Sequence, residues 1–234
     1  MRVRDEAFTL VELLTVIAII LVLGSLLMAE VSKVGDSERQ TECVSNLRQW
    51  AAALHLYAAD HDGFTPRRGQ GVQPFWMTDR PDDWFNALPP YLGIPSYSDQ
   101  VKSGHPALPT DKSVFVCPAA IRETVYPNFL CYGMNMYLSP WIRPEPHRLS
   151  ELPNPSQLVF LADGPGGWCS TIPSSLGYSV KARHNGRANV VFIDGHLQSF
   201  DGGYLGCGTG EPNPELPDVR WQTLTSGVNQ SVMP

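Results

Sequence analysis

Residues 8–29 read FTLVELLTVIAIILVLGSLLMA, and this block decides how the rest of the chain is interpreted. It is almost entirely apolar, and its only charged residue is Glu12. Because a helix needs about 20 apolar residues to cross a bilayer, the block predicts one membrane-spanning helix. A buried core helix and a cleaved secretory signal are the alternatives. However, the block has no polar face and does not end in a small-residue cleavage pattern.

The composition of the whole chain excludes several classes of protein. Of its 234 residues, 43% are hydrophobic, which is enough for a real core and too many for a disordered tail. The formal net charge is −6, which offers no basic face, so no nucleic-acid partner is expected. Arg2 and Arg4 precede the apolar block, which favours a cytoplasmic N-terminus and places the chain after about residue 30 outside the cytoplasm.

Glu12 is the informative residue of the apolar block. A carboxylate inside a membrane costs on the order of 2–3 kcal/mol, although a position near the helix start lowers this value. A helix that serves only as a membrane anchor does not need this carboxylate. Either Glu12 reaches the lipid headgroups, or a cation at the same depth pairs with it, such as the amino terminus of a neighbouring subunit.

The segment Ala7-Phe8-Thr9-Leu10-Val11-Glu12-Leu13-Leu14 resembles the prepilin cleavage and methylation segment of type IV pilins and type II secretion pseudopilins. The resemblance implies that prepilin peptidase removes residues 1–7 by cutting between Ala7 and Phe8, and that Phe8 is then N-methylated. Glu12 would be the assembly carboxylate. The family usually has Gly before the cut, where this chain has Ala7. The implied partners are the peptidase, other pilin or pseudopilin subunits and the lipid of a bacterial inner membrane.

Residues 30–62 extend the helix as an amphipathic segment. One apolar stripe recurs at spacings of three and four residues, formed by Val44, Leu47, Ala51, Leu54 and Ala58. We expect the helix to end at Asp60, with Gly63 in its C-cap region. The stripe would pack on a globular domain.

Residues 63–200 form the predicted globular domain. A short helix is expected at 84–91, and strands are expected at 114–117, 158–162, 181–184, 189–193 and 196–200. Asn185-Gly186 and Asp194-Gly195 lie between the last three strands and favour tight hairpin turns. The predicted fold is therefore α+β and pilin-like, with a long N-terminal helix packed on an antiparallel sheet. Residues 201–234 are interpreted as an irregular tail whose main apolar anchor is Trp221.

His184, nine further residues and Asp194-Gly195 resemble the H-x9-D-G signature of a bacterial family of prepilin-type proteins. His184, Asp194 and His196 are expected near one another in the meander, and Asp163 is a further candidate. They could form a structural polar network or hold a metal ion. Of the metals, calcium is favoured over zinc, in keeping with the resemblance to pseudopilins.

The five cysteines are Cys43, Cys117, Cys131, Cys169 and Cys207. Outside the cytoplasm they could pair, and an odd number leaves at least one free. Cys117 and Cys131 close a short loop and are the first candidates for a bond.

The sequence has no nucleophile elbow, no phosphate loop and no zinc-protease helix motif, so no enzyme is expected. The preferred function is a structural subunit, either a pseudopilin or a minor pilin, of a type II secretion or type IV pilus-type filament. One alternative is a membrane-anchored extracytoplasmic binding module that does not polymerise and uses residues 73–91 as its ligand surface. Another is a metal-dependent hydrolase around His184.

Overall fold

The computed structural model describes residues 9–69, 79–108, 111–120, 130–139, 146–164, 171–172, 180–213 and 216–223; for residues 27–34 and 171–172 it describes the backbone alone. The chain divides into two compact units, Met1–Glu38 and Arg39–Pro234. Helix α1 (Leu10–Asp60) contributes to both units.

In the first unit, the apolar side chains of α1 are exposed to solvent. The large apolar side chains described from Leu10 to Leu26 are each 45–74% exposed. Residues 8–29 were expected to span a membrane. Within the part of the chain that the structure describes, no helix is both long enough and apolar enough to cross one.

In the second unit, the predicted stripe of α1 is confirmed. Leu47, Ala51, Leu54 and Ala58 are buried, and Val44 is half-buried. The helix ends at Asp60, as the sequence indicates. Gly63 has a φ of 82°, and its N–H donates to the Ala58 carbonyl at 2.8 Å, which closes the last turn.

The sheet has five strands: β1 (Tyr132–Asn135), β2 (Val159–Asp163), β3 (Thr171–Ile172), β4 (Arg187–Phe192) and β5 (Leu197–Asp201). Their order is β3-β1-β2-β4-β5. β1, β2, β4 and β5 pair antiparallel, and the two-residue β3 pairs parallel to β1. The predicted α+β class, with a helix on an antiparallel sheet, is confirmed.

Both faces of the sheet are covered. On one face, apolar residues of α1 pack in a cluster with Phe160, Leu161 and Val191. On the other face, Val159 and Val190 pack with residues from the C-terminal region. A bulge in β2 between Val159 and Leu161 lets both Phe160 and Leu161 face the helix side.

The other helices that the structure describes are short. The predicted helix at 84–91 is present as α2 (Trp84–Ala87) followed by a 3₁₀ turn (Pro89–Leu92). The others described are α3 (Tyr97–Lys102), α4 (Gly202–Leu205) and 3₁₀ turns at Met136–Leu138 and Leu149–Glu151.

The expected strand at 114–117 is wrong. Two of its backbone carbonyls accept from side chains of α1: Trp50 Nε1 donates to the Val114 carbonyl at 2.9 Å, and Asn46 Nδ2 donates to the Val116 carbonyl at 3.0 Å. The segment therefore forms a turn that anchors α1. The four residues of β1 were not predicted as a strand, since their YGMN sequence has no alternation of apolar and polar residues.

The expected strand at 181–184 is also wrong, because it is reduced to a single bridge between His184 and Arg187. In such a hairpin the next donor along β4 would be the backbone N–H of Asn189. That N–H donates to the carboxylate of Asp163 at 2.8 Å, so the ladder does not continue.

The region interpreted as a tail contributes α4, which buries Leu205, and the further buried side chains Leu216, Val219 and Trp221. Buried Asn135 donates from Nδ2 to the Trp221 carbonyl at 2.8 Å and to the Val159 carbonyl at 2.9 Å. This part of the chain is therefore joined to the sheet at least as far as Trp221.

Two leucines of α1 test the burial of the stripe. Leu54 is fully buried and Leu56 is 51% exposed. Leu54→Ala should destabilise the protein by about 2–5 kcal/mol because it leaves a cavity in the core. Leu56→Ala should stay within about 0.5 kcal/mol of the parent. Urea unfolding of the full chain in one detergent measures both, and equal losses would contradict this packing.

Candidate functional site

The start of α1 forms a capping box. The Thr9 backbone N–H and its Oγ1–H both donate to Glu12 Oε2, at 2.9 and 2.7 Å. The Glu12 N–H in turn donates to Thr9 Oγ1 at 3.2 Å. This reciprocal pattern satisfies donors that a helix start otherwise leaves unpaired. Ala7 and Phe8 lie outside the described residues.

Glu12 therefore has a local role that the sequence reasoning missed. The signal was present, because Thr-x-x-Glu before an apolar run is the usual sequence pattern of a capping box. Both side chains are exposed, so the carboxylate is held close to the helix start and still faces outward.

A tight turn places His184 beside the first residue of β4. Asn185 and Gly186 have φ values of 53° and 78°, and backbone hydrogen bonds of 3.0 and 3.1 Å join His184 and Arg187 across the turn. Both positive φ values fit the predicted two-residue hairpin. The buried His184 Nε2 lies 3.5 Å from Oδ2 of Asp163, the last residue of β2.

Two cysteines complete this buried cluster. Cys43 Sγ, on α1, lies 3.1 Å from Asp163 Oδ1, and Cys117 Sγ lies 3.4 Å from His184 Nε2. One ligand atom from each of the four residues lies within 4.8 Å of the other three. The sequence reasoning missed both cysteines, because they are far apart in the chain and belong to no C-x-x-C motif.

The disulfide expected between Cys117 and Cys131 is wrong, since both residues are free thiols in the structure. Cys43 and Cys207 are also free. Cys169 lies outside the described residues.

Burial and hydrogen bonds shift the pKa values of the acidic groups in this cluster. Burial raises the pKa of Asp163 to about 6 and raises that of Cys43 well above its usual value. The pKa of Cys117 is lowered to about 5, chiefly by the hydrogen bond with Cys43 and also by the hydrogen bond with His184, while burial opposes both.

The second half of the H-x9-D-G signature, Asp194-Gly195, follows the far end of β4. The strand between the two halves is about 17 Å long. His196 Nδ1 is 2.6 Å from Asp194 Oδ1, and this pair is exposed. Gly195 has a φ of 90°, so the turn between β4 and β5 favours glycine there. The structure therefore brings His184 to Asp163 and separates both from Asp194 and His196.

The surface proposed for ligand binding is described only in part, because residues 70–78 lie outside the described residues. The described part forms an open cleft lined by Tyr57, His61, Asp82 and Tyr91, among others. The Tyr57 and His61 rings are stacked 3.8 Å apart, and this cleft presents aromatic surface.

The chain is similar to the ComG operon protein 3 homolog of Bacillus licheniformis. The two are 31% identical over 67 residues, which make up 29% of this chain and 69% of that protein. No family model matches the sequence. No solved structure matches it either.

The two histidines allow a matched test of these positions. His184 is buried against Asp163, whereas the His196 side chain is 41% exposed. His184→Ala leaves a buried carboxylate with one partner fewer, so it should lower the free energy of unfolding by about 1–3 kcal/mol. His196→Ala should lower it by at most about 1 kcal/mol. Chemical denaturation of the full chain measures both, and the reverse ranking would refute this assignment.

Proposed function

Since this chain belongs to the family of the ComG operon protein 3 homolog, we propose that it is a pilin-like structural subunit, a pseudopilin or minor pilin, that assembles through its N-terminal helix. The filament would be of the type II secretion or type IV pilus kind. The observation that carries this proposal is the apolar surface of α1 between Leu10 and Leu26, whose first residues lie within the capping box.

Because these side chains are apolar and exposed, lipid or another protein surface is expected to bury them. Each side chain of the size of Leu, Ile or Val contributes about 1.5–3 kcal/mol when it is fully buried. Leaving Leu10 74% exposed and Leu21 71% exposed to water forgoes that stabilisation. Bilayer lipid before assembly and the helices of neighbouring subunits after assembly would both provide the cover.

Glu12 would set the axial register between subunits. The capping box already holds its carboxylate at the start of the helix, facing outward. After removal of residues 1–7, the new amino terminus at Phe8 is a cation that a neighbouring Glu12 can accept. An ion pair buried among apolar helices loses far more when one partner is missing than an exposed pair does, so it enforces one alignment.

This proposal includes processing by prepilin peptidase between Ala7 and Phe8, methylation of Phe8 and residence in a bacterial inner membrane with the second unit outside the cytoplasm. It is a mechanical role without catalysis. The similarity of the first residues to the prepilin segment supports all of these points together.

The pairing role can be separated from the capping role by two variants. Glu12→Ala removes both the intermolecular carboxylate and the cap, so it should be inserted and cleaved normally but should not enter filaments. Thr9→Ala removes the side-chain cap, worth about 1 kcal/mol of helix stability, and keeps the carboxylate. It should therefore still assemble, as measured by filament shearing and immunoblotting.

Two results would contradict this role. Normal assembly of Glu12→Ala would show that no intermolecular pairing is needed. Equal loss of assembly in both variants would show that Glu12 acts through the helix cap alone.

The aromatic cleft at Tyr57, His61 and Tyr91 favours a second candidate, a membrane-anchored binding module that does not polymerise. Ile17→Cys distinguishes the two, because Ile17 lies on the exposed apolar surface of α1. Oxidative cross-linking in cells should give a disulfide-linked dimer, because one new thiol per chain forms one bond, and the parent chain should give none. Monomer alone from Ile17→Cys would favour the anchored module.

A further inference from the structure

We propose that Cys43, Cys117, Asp163 and His184 bind one zinc ion, which fastens helix α1 to the sheet. This inference is independent of the proposed function, because all four residues belong to the second unit. The ligands come from α1, from the turn at 114–117, from the end of β2 and from the hairpin that precedes β4.

The spacing of the four ligand atoms fits tetrahedral coordination. Zinc bonds of about 2.3 Å to sulfur and 2.0–2.2 Å to nitrogen or oxygen place neighbouring ligand atoms about 3.3–3.8 Å apart. The observed separations are close to these values: 3.1 Å for Cys43 Sγ to Asp163 Oδ1, 3.4 Å for Cys117 Sγ to His184 Nε2 and 3.5 Å for His184 Nε2 to Asp163 Oδ2. Small side-chain rotations would therefore be enough to admit the ion.

The donor set selects the metal. Two sulfurs, one imidazole nitrogen and one carboxylate oxygen are ligands that zinc accepts, whereas calcium takes six to eight oxygens. The four residues are buried, and together they fill a tetrahedral shell and leave no position for a substrate. The site therefore has the character of a structural zinc centre and not of a catalytic one. The earlier preference for calcium does not fit these donors.

The surroundings fit anionic ligands. Cys43 Sγ accepts from the Tyr132 hydroxyl and from Asn189 Nδ2, both at 3.5 Å, while the Asn189 backbone N–H donates to Asp163 at 2.8 Å. Such outer contacts orient metal ligands and support their charge. The positive charge of Arg183 also favours the ionised forms of Cys117 and Asp163.

A zinc ion would also balance the charge of the cluster. Two thiolates and one carboxylate carry three negative charges, which cannot stay buried together without a cation. Zinc leaves one negative charge, which Arg183 offsets.

Metal analysis of the purified full chain in detergent tests the site. The parent should bind about one zinc ion per chain after dialysis against zinc and then metal-free buffer. With cobalt in place of zinc, it should show the sulfur-to-cobalt charge-transfer band and the strong visible bands of a tetrahedral thiolate site. The cobalt spectrum needs no variant, so it stands even where a variant fails to fold.

Variants then assign the ligands. Cys43→Ser and His184→Gln should each lose most of the bound zinc and change the cobalt spectrum. Cys207→Ser is the matched control, because Cys207 is a free, half-buried thiol outside the cluster, and it should keep both.

Two results would overturn the proposal. One is a chain with Cys43 and Cys117 both reduced that binds neither zinc nor cobalt. The other is a disulfide between Cys43 and Cys117, found by mass spectrometry of the protein taken directly from cells. Neither result bears on whether the chain assembles through residues 8–29.

Discussion

The carboxylate of Asp163 is the contact on which the arrangement of the second unit depends. Oδ1 lies 3.1 Å from Cys43 Sγ of α1, and Oδ2 accepts the backbone N–H of Asn189 in β4 at 2.8 Å. The helix, the end of β2 and the middle of β4 therefore meet at one fully buried side chain. A buried carboxylate must be fully satisfied or it destabilises the fold, so its partners are fixed in position.

The two units differ in whether their apolar side chains are buried. Around Asp163, several polar groups meet inside a core that includes Trp50, Phe115 and Phe160. Between Leu10 and Leu26, by contrast, α1 carries apolar side chains that the described chain does not cover. The second unit has a buried core, and the first has an apolar surface suited to lipid or to other copies. A subunit that polymerises through its helix needs this division.

Much of this architecture follows from the sequence, because it depends on local periodicity. The α1 stripe, the end of the helix near Gly63 and the turn at Asn185-Gly186 all result from spacing or from residues that tolerate positive φ. The buried cluster could not be predicted in this way. Cys43 and Asp163 are 120 positions apart, and Cys117 and His184 are 67 apart, so only tertiary packing brings them together. The same contacts remove the expected strand at 181–184, since Asp163 takes the donor that the strand would need.

The central claim, that residues 8–29 are an assembly segment exposed by processing, is tested most directly at the N-terminus of the mature protein. Mass spectrometry of the intact chain and of its N-terminal peptide, purified from the membranes of its native cells, gives the answer. The account predicts a chain that starts at Phe8 and carries one N-methyl group. A mature chain that starts at Met1, or one cut after Ala29, would contradict it.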